Sequence, residues 1–144
     1  MKILVINGAN LNLLGLREPE LYGRETYEDL VEVLRRKAEE LGAEICFTQS
    51  NHEGDLVDAI QGAYPETDGI IINPGGYTFT SVAILDAVKA VGIPTVEVHM
   101  TDLSTRDDFR QVSYIRQACI ANCMGKGFGS YIEALDLLVN KLTG

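Results

Sequence analysis

Two residues of the first long loop offer the plainest chemistry. In NGANLNLLGLREPELYG, residues 7–23, Arg17 and Tyr22 stand five apart. A guanidinium held beside a phenol favours the phenolate and lowers the tyrosine pKa toward that of a useful base. The same pair also reads as simple packing of a tyrosine against an arginine. A second group follows the apolar runs: Asn7 and Asn10, Ser50-Asn51-His52, Asn73 and His99. Each one alone reads as a turn residue or helix cap, whereas amides and imidazoles converging on one rim read as a binding site. In HMTDLSTRDDFR, residues 99–110, Arg106 and Arg110 stand four apart on what reads as one helical face. That pair suits a carboxylate, or else a solvated ion-pair face completed by Asp107 and Asp108. NPGGYTFTS, residues 73–81, places Phe79 between two threonines, where a proton donor would be sought.

These groups need elements that bring them together, and apolar periodicity supplies them. Lys2 to Asn7 reads as a strand. Thr26 opens an amphipathic helix with Leu30, Val33, Leu34, Lys37 and Leu41 on one side and Gly42 as its stop. Glu44 to Gln49 is a second strand, and Ser50 followed by Glu53 three residues later predicts a capped helix over 53–64. A strand over Gly69 to Asn73, a helix over 80–91, strands over Pro94 to Val98 and Cys119 to Met124, and a helix over 129–142 complete the chain. Strands that are apolar throughout, alternating with helices, imply a parallel sheet covered on both faces. Five of them predict a flavodoxin-like α/β fold with strand order 2-1-3-4-5, whose ligands bind outside the carboxyl ends of the strands near the switch between strands 1 and 3.

Composition bounds the rest. With 144 residues, 46% hydrophobic and 23% charged, residues 1–144 read as one globular domain with a true core. A net charge of −9 without a lysine and arginine cluster argues against nucleic acid as a partner. It also makes loop arginines informative, since an anionic small molecule needs local positive charge. No apolar run approaches the roughly 20 residues of a membrane span, and Ile3 to Ile6 is too short for a signal-peptide core, so a cytoplasmic protein is expected. Cys46, Cys119 and Cys123 lie in apolar runs and read as buried reduced thiols. Glycines at 8, 15 and 23 match neither the dinucleotide spacing nor GxxxxGK, so no nucleotide cradle is expected.

NGANLNLLGLREPELYG, QSNHEGDLVDAI, GIIINPGGYTFTSVAI and IPTVEVHMTDL with TRDDFR resemble, in order and spacing, the type II 3-dehydroquinate dehydratases. The likeness runs from Lys2 to about Leu138. It implies a flavodoxin-like lyase of the shikimate or quinate pathways, the former leading to aromatic amino acids, that uses neither metal nor organic cofactor. Such enzymes take a proton from the carbon next to a ring ketone, stabilise the enolate and expel a β-hydroxyl as water. By the resemblance Tyr22 is the base, activated by Arg17 on a loop that closes over a small anionic cyclic substrate. Asn10 positions a water against the enolate oxygen. Asn73, His99 and Arg110 are ligands of the ring hydroxyls, and Met100 and Thr101 cradle the carboxylate. Arg106 is a second arginine of the closing region. Asp86 reaches the site of a neighbouring subunit, in trimers assembled into a homododecamer.

Phe79 departs from that pattern. The family motif carries histidine there, read as the acid that protonates the leaving hydroxyl. Phenylalanine has no proton to give, and a hydroxyl facing it loses a partner at a cost of about 1–3 kcal/mol. Since general acid catalysis contributes about 10²–10⁴-fold, an impaired dehydratase is expected unless His52, His99 or a water replaces it. Neither histidine reads as a ready replacement, His99 being a substrate ligand by the resemblance and His52 a structural residue after the second strand. Lesser departures are Asp102 for asparagine, Leu85 for arginine, and Arg116 at a usually small position. The other readings are a repurposed relative that enolises a different cyclic polyol carboxylate, and a non-catalytic binder of one.

Overall fold

The computed structural model describes residues 1–16, Glu20 and 25–144. Five parallel strands, β1 (Lys2–Asn7), β2 (Glu44–Gln49), β3 (Gly69–Asn73), β4 (Thr95–His99) and β5 (Ala121–Met124), form one sheet in the order β2-β1-β3-β4-β5. This is the expected flavodoxin-like order. Every residue of β3 and β4 is buried, as covering both faces of a central strand requires. β2 lies at an edge and is partly exposed along its length. Cys46 there is exposed, contrary to the expectation of a buried thiol, because an edge strand has a neighbour on one side alone; Cys119 is half-buried and Cys123 buried, and all three are free.

Among the described residues four helices pack on the sheet: α1 (Tyr27–Leu41), α2 (Glu53–Ala63), α3 (Val82–Val91) and α4 (Phe128–Thr143). Leu30 and Leu34 of α1 and Tyr131, Leu135 and Leu138 of α4 bury against Ile3, Val5, Ile71, Val96 and Val98. On the opposite face Leu56, Ile60, Ile84 and Val88 from α2 and α3 bury against Ile6, Ile70 and Ile72. Each such side chain contributes roughly 1.5–3 kcal/mol by leaving water. Strand residues alternate between the two cores, which is why the helices had to divide between faces.

Helix ends follow local chemistry. Thr26 and Asp29 form a reciprocal capping box at the start of α1, and Gly42 ends it in the left-handed conformation at φ 71°. The box expected from Ser50 and Glu53 does not form. His52 is the N-cap of α2 without a side-chain bond, while the Ser50 hydroxyl donates to Asp55 Oδ2 at 2.7 Å and accepts from the His52 amide at 3.0 Å. Ser50 stands two residues before the cap position, too early to reach the first free amides. α3 starts at Val82, not 80, because Gly75–Phe79 folds as a 3-10 turn and Ser81 takes over as cap, accepting from the Ile84 amide at 3.0 Å. β5 likewise starts at Ala121 because Ile115–Ala118 is a 3-10 turn. Arg106 and Arg110 do not share a helix: the turns Leu103–Thr105 and Asp108–Arg110 are separated by Arg106 in extended backbone.

Candidate active site

β1 and β3 are neighbours, yet the chain leaves them toward opposite edges of the sheet, so their carboxyl ends diverge and open a crevice. The loops there touch backbone to backbone. The Gly8 amide donates to the Asn73 carbonyl at 2.7 Å, and a Cβ on Gly8 would stand 2.2 Å from the Pro74 oxygen. Gly75, at φ +65°, leaves no room either, since a Cβ would lie 2.6 Å from the Ala9 oxygen. Asn10 also adopts a left-handed backbone, at φ 71°, a conformation asparagine tolerates. Its amide donates to Asn51 Oδ1 at 2.9 Å, and its side chain makes no hydrogen bond among the described residues. NPGGYTFTS is the hub of this rim: Tyr77 donates to the Asn51 carbonyl at 2.7 Å, and the Thr78 carbonyl accepts from the Tyr114 amide at 2.9 Å.

A cavity of about 140 Å³ occupies the crevice, lined by Asn10, Asn73, Phe79, His99, Met100, Thr101, Arg106 and Arg110, with Leu11, Leu14 and Leu103 as apolar wall. Three stretches far apart in sequence, 9–14, 73–79 and 99–110, thus meet here. Arg17 and Tyr22 lie outside the described residues. Asp86 is exposed on α3 and His52 is exposed at the start of α2; neither lines the cavity. Asp102 caps its own turn by accepting from the Ser104 amide at 3.0 Å and hydroxyl at 2.7 Å, bonds that hold its carboxyl below the usual range. Leu85 is buried in the α2/α3 core.

Two polar clusters stand under the rim. In the first, Tyr131 donates to Asn7 Oδ1 at 2.6 Å and accepts from Asn73 Nδ2 at 2.9 Å, while Asn73 Oδ1 accepts from the Gly75 amide at 3.1 Å. Burial pushes the Tyr131 phenol above its usual pKa, so this cluster stays neutral. The second centres on Glu97, fully buried in the middle of β4. Its Oε2 accepts from Ser113 at 2.6 Å and Thr78 at 3.2 Å and meets His99 Nε2 at 2.6 Å, and its Oε1 accepts from Arg116 Nε at 3.1 Å. Burial by itself raises the Glu97 pKa, but the hydrogen bond and charge of His99, then Ser113, then Arg116 outweigh it and lower the carboxyl to about 2. An ionised carboxylate can only accept, so the His99 Nε2 carries hydrogen. Its Nδ1 makes no hydrogen bond among the described residues.

The Arg110 guanidinium lies over the Phe79 ring at 5.5 Å and the Phe109 ring at 4.9 Å. Its Nε is buried with no hydrogen-bond partner among the described residues, since Asp107 Oδ2 stands 3.7 Å away. Arg110 thus forms an ion pair with the exposed Asp107, as the ion-pair alternative expects, and at the same time faces the cavity. Arg106 Nη1 donates to Thr101 Oγ1 at 3.2 Å. A buried donor without an acceptor, on a cation at a cavity wall, is chemistry suited to an anion or a hydroxyl. Phe79 and His99 stack with centroids 6.4 Å apart.

Glu97 is a site residue that no motif of the sequence singles out. The signal was present: one carboxylate inside the apolar strand TVEVH, two residues before His99, points to the same face as the histidine. Ser113 and Arg116 carried no comparable signal, because the long connection after β4 decides what they meet.

The family model for class II dehydroquinases matches residues 1–139. The chain belongs to that family. Among its relatives, the 3-dehydroquinate dehydratase of Caldicellulosiruptor bescii is 56% identical over 138 residues, 95% of each chain. That of Clostridium acetobutylicum is 48% identical over 143 residues, 99% of each. The type II dehydroquinase of Butyrivibrio crossotus superimposes with a TM-score of 0.94 at 47% identity, covering 96% of this chain and 97% of its own. The crevice described above is therefore the crevice of a dehydroquinase fold, with a phenylalanine at residue 79 in its wall.

Proposed function

We propose that the protein is a type II 3-dehydroquinate dehydratase in which His99 supplies the proton to the leaving hydroxyl. The observation that carries this reading is the His99–Glu97 contact at 2.6 Å on the wall of the cavity. A carboxylate on Nε2 fixes the ring's tautomer and orientation and compensates its charge when Nδ1 also carries a proton. The function itself is supported by relatives named 3-dehydroquinate dehydratase that match nearly the whole chain.

In this mechanism the Tyr22 phenolate, activated by Arg17, takes the proton from the carbon next to the ketone. The C–H electron pair becomes the carbon–carbon double bond of the enolate while the carbonyl π pair moves to oxygen, and Asn10, whose side chain is uncommitted among the described residues, holds a water against that oxygen. The enolate then returns its pair to form the carbon–carbon double bond as the β C–O bond breaks. His99 Nδ1–H protonates the departing oxygen, and water leaves. Proton transfer back from the Tyr22 phenol to the imidazole closes the cycle with net loss of one water. Arg110 binds the ring substituents with its Nε, which has no hydrogen-bond partner among the described residues, beside Asn73, and Met100, Thr101 and Arg106 hold the carboxylate. Phe79 then costs the substrate a polar contact but leaves the acid in place. The reading also makes the protein a one-domain, cytoplasmic, cofactor-free enzyme of trimers assembled into a dodecamer. The exposure of Asp86, outside its own chain's cavity, supports its service to a neighbour's site.

Purified protein given 3-dehydroquinate should develop the ultraviolet absorbance of the conjugated enone, and Phe79→His should lower KM while moving kcat by less than about tenfold. A rise in kcat of about 10²-fold or more in Phe79→His would instead mean that residue 79 is the acid position and that the unaltered protein lacks its donor. No product from either form would sink the dehydratase reading.

A further inference from the structure

Arg116 has no place in the mechanism above, yet it touches the group on which His99 depends. It lies in the turn Ile115–Ala118 and does not line the cavity. Its side chain is 37% exposed and that of Glu97 0%, so the guanidinium bridges from the surface to a buried carboxylate. The two carboxylate oxygens divide their work. Oε2 meets His99, Ser113 and Thr78, whereas Oε1 is held, among the described residues, by Arg116 Nε. A carboxylate anchored through one oxygen swivels about its last bond; anchored through both, it keeps its plane. The Arg116 Nη2 is buried with no hydrogen-bond partner among the described residues. A cation that leaves one donor desolvated is held there by the Glu97 charge and not by a full set of bonds of its own. Of the other groups facing Glu97, Thr78 and Ser113 are neutral hydroxyls. The Cys119 thiol is pushed up to about 12 by burial and then by Glu97, so it is uncharged at neutral pH. Arg116 is thus the permanent cation against Glu97, and His99 the group whose proton moves.

We propose that Arg116 is a positioning residue for the dehydration: by gripping Oε1 it keeps the plane of the Glu97 carboxylate, and through it the His99 ring, aimed at the leaving hydroxyl. This rests on His99 as the proton donor.

The test compares the unaltered full-length protein with Arg116→Leu, Arg116→Gln and Arg116→Lys, using 3-dehydroquinate, enone absorbance and steady-state kinetics across pH. Arg116→Leu should cut kcat about 10- to 100-fold, as misplacing a catalytic group does, with KM changed by less than about twofold. The alkaline limb of its kcat profile, which requires the proton on His99, should move up, since the Glu97–His99 pair loses a neighbouring cation. Arg116→Lys should recover most of kcat. Arg116→Gln, which keeps a donor without the charge, should fall between them and carries the comparison if the leucine variant does not fold. An unaltered kcat and pH profile in Arg116→Leu and Arg116→Gln, with thermal stability alone reduced, would overturn the proposal and leave an ordinary ion pair. If the unaltered protein is inactive, the His99 reading and this proposal fall together; if it is active and the variants are indifferent, the proposal falls alone.

Discussion

Two buried polar clusters sit under the same rim, and they are built on opposite principles. Asn7, Asn73 and Tyr131 form a neutral set in which one phenol satisfies two amides. Glu97, His99, Ser113, Thr78 and Arg116 form a charged set around one carboxylate. The neutral cluster joins β1 and β3 to α4, holding the loop backbones in place where their glycines pass in contact. It has no proton to spare, because burial raises the Tyr131 pKa. The charged cluster joins β4 to the Thr78 turn before it and to the turns that follow it, and includes the imidazole assigned as the proton donor. The contrast separates groups that shape a cavity from groups that act in it.

The largest break in that contrast should come from the charged side. His99→Ala or Glu97→Gln should reduce kcat about 10²–10⁴-fold in the enone assay, the amount typical of a lost general acid. The folded state should survive Glu97→Gln, since the amide keeps most of the same partners. A loss under tenfold in both variants would place the acid elsewhere. On the neutral side, Tyr131→Phe strands Asn7 Oδ1 and one hydrogen of Asn73 Nδ2 in the interior. It should lower the unfolding free energy by about 1–3 kcal/mol in urea titrations. Its effect on kcat should be smaller than that of Glu97→Gln. If it proved larger, the division between shaping and acting would be mistaken.

The subtlest separation is by pH. Glu97 is lowered in the folded protein from an ordinary value of 4.5 to about 2. The unfolded chain therefore binds a proton first as pH falls, and the stability Glu97 contributes, complete above about 4.5, drains away as pH drops toward 2. Tyr131 has the opposite sign. Its folded pKa lies above the ordinary 10.0, so its contribution is complete below 10.0 and is lost as pH rises beyond it. Denaturation midpoints measured from pH 2 to 11 should fall at both ends. Glu97→Gln should flatten the acid side alone, and Tyr131→Phe the alkaline side alone.

The alternation of apolar strands with amphipathic helices made the sheet and its order legible, because both depend on periods of two and 3.6 residues that are written locally. The limits of β2 and β3 are the same in the sequence and in the structure for that reason. The starts of α3 and β5 were less legible. Each follows a 3-10 turn whose residues have no period of their own. Cys46 misled because an edge strand and a central strand have similar composition, and exposure follows from the order of strands in the sheet. Arg106 and Arg110 misled in the other direction. Their spacing mimics a helix, but two separate turns bring both to the cavity.

By itself the sequence determined the alternation of elements, the amides and the histidine at the strand ends, and the phenylalanine at 79, since residue type and local period need no partner to be read. Tertiary structure decided which oxygen of Glu97 faces which residue, that Arg110 lies over two aromatic rings, and that Arg116 reaches a carboxylate 19 positions away. Such pairings depend on how a turn packs against a strand remote in the chain. The buried charge binds whichever donors that packing delivers, and no local rule names them beforehand.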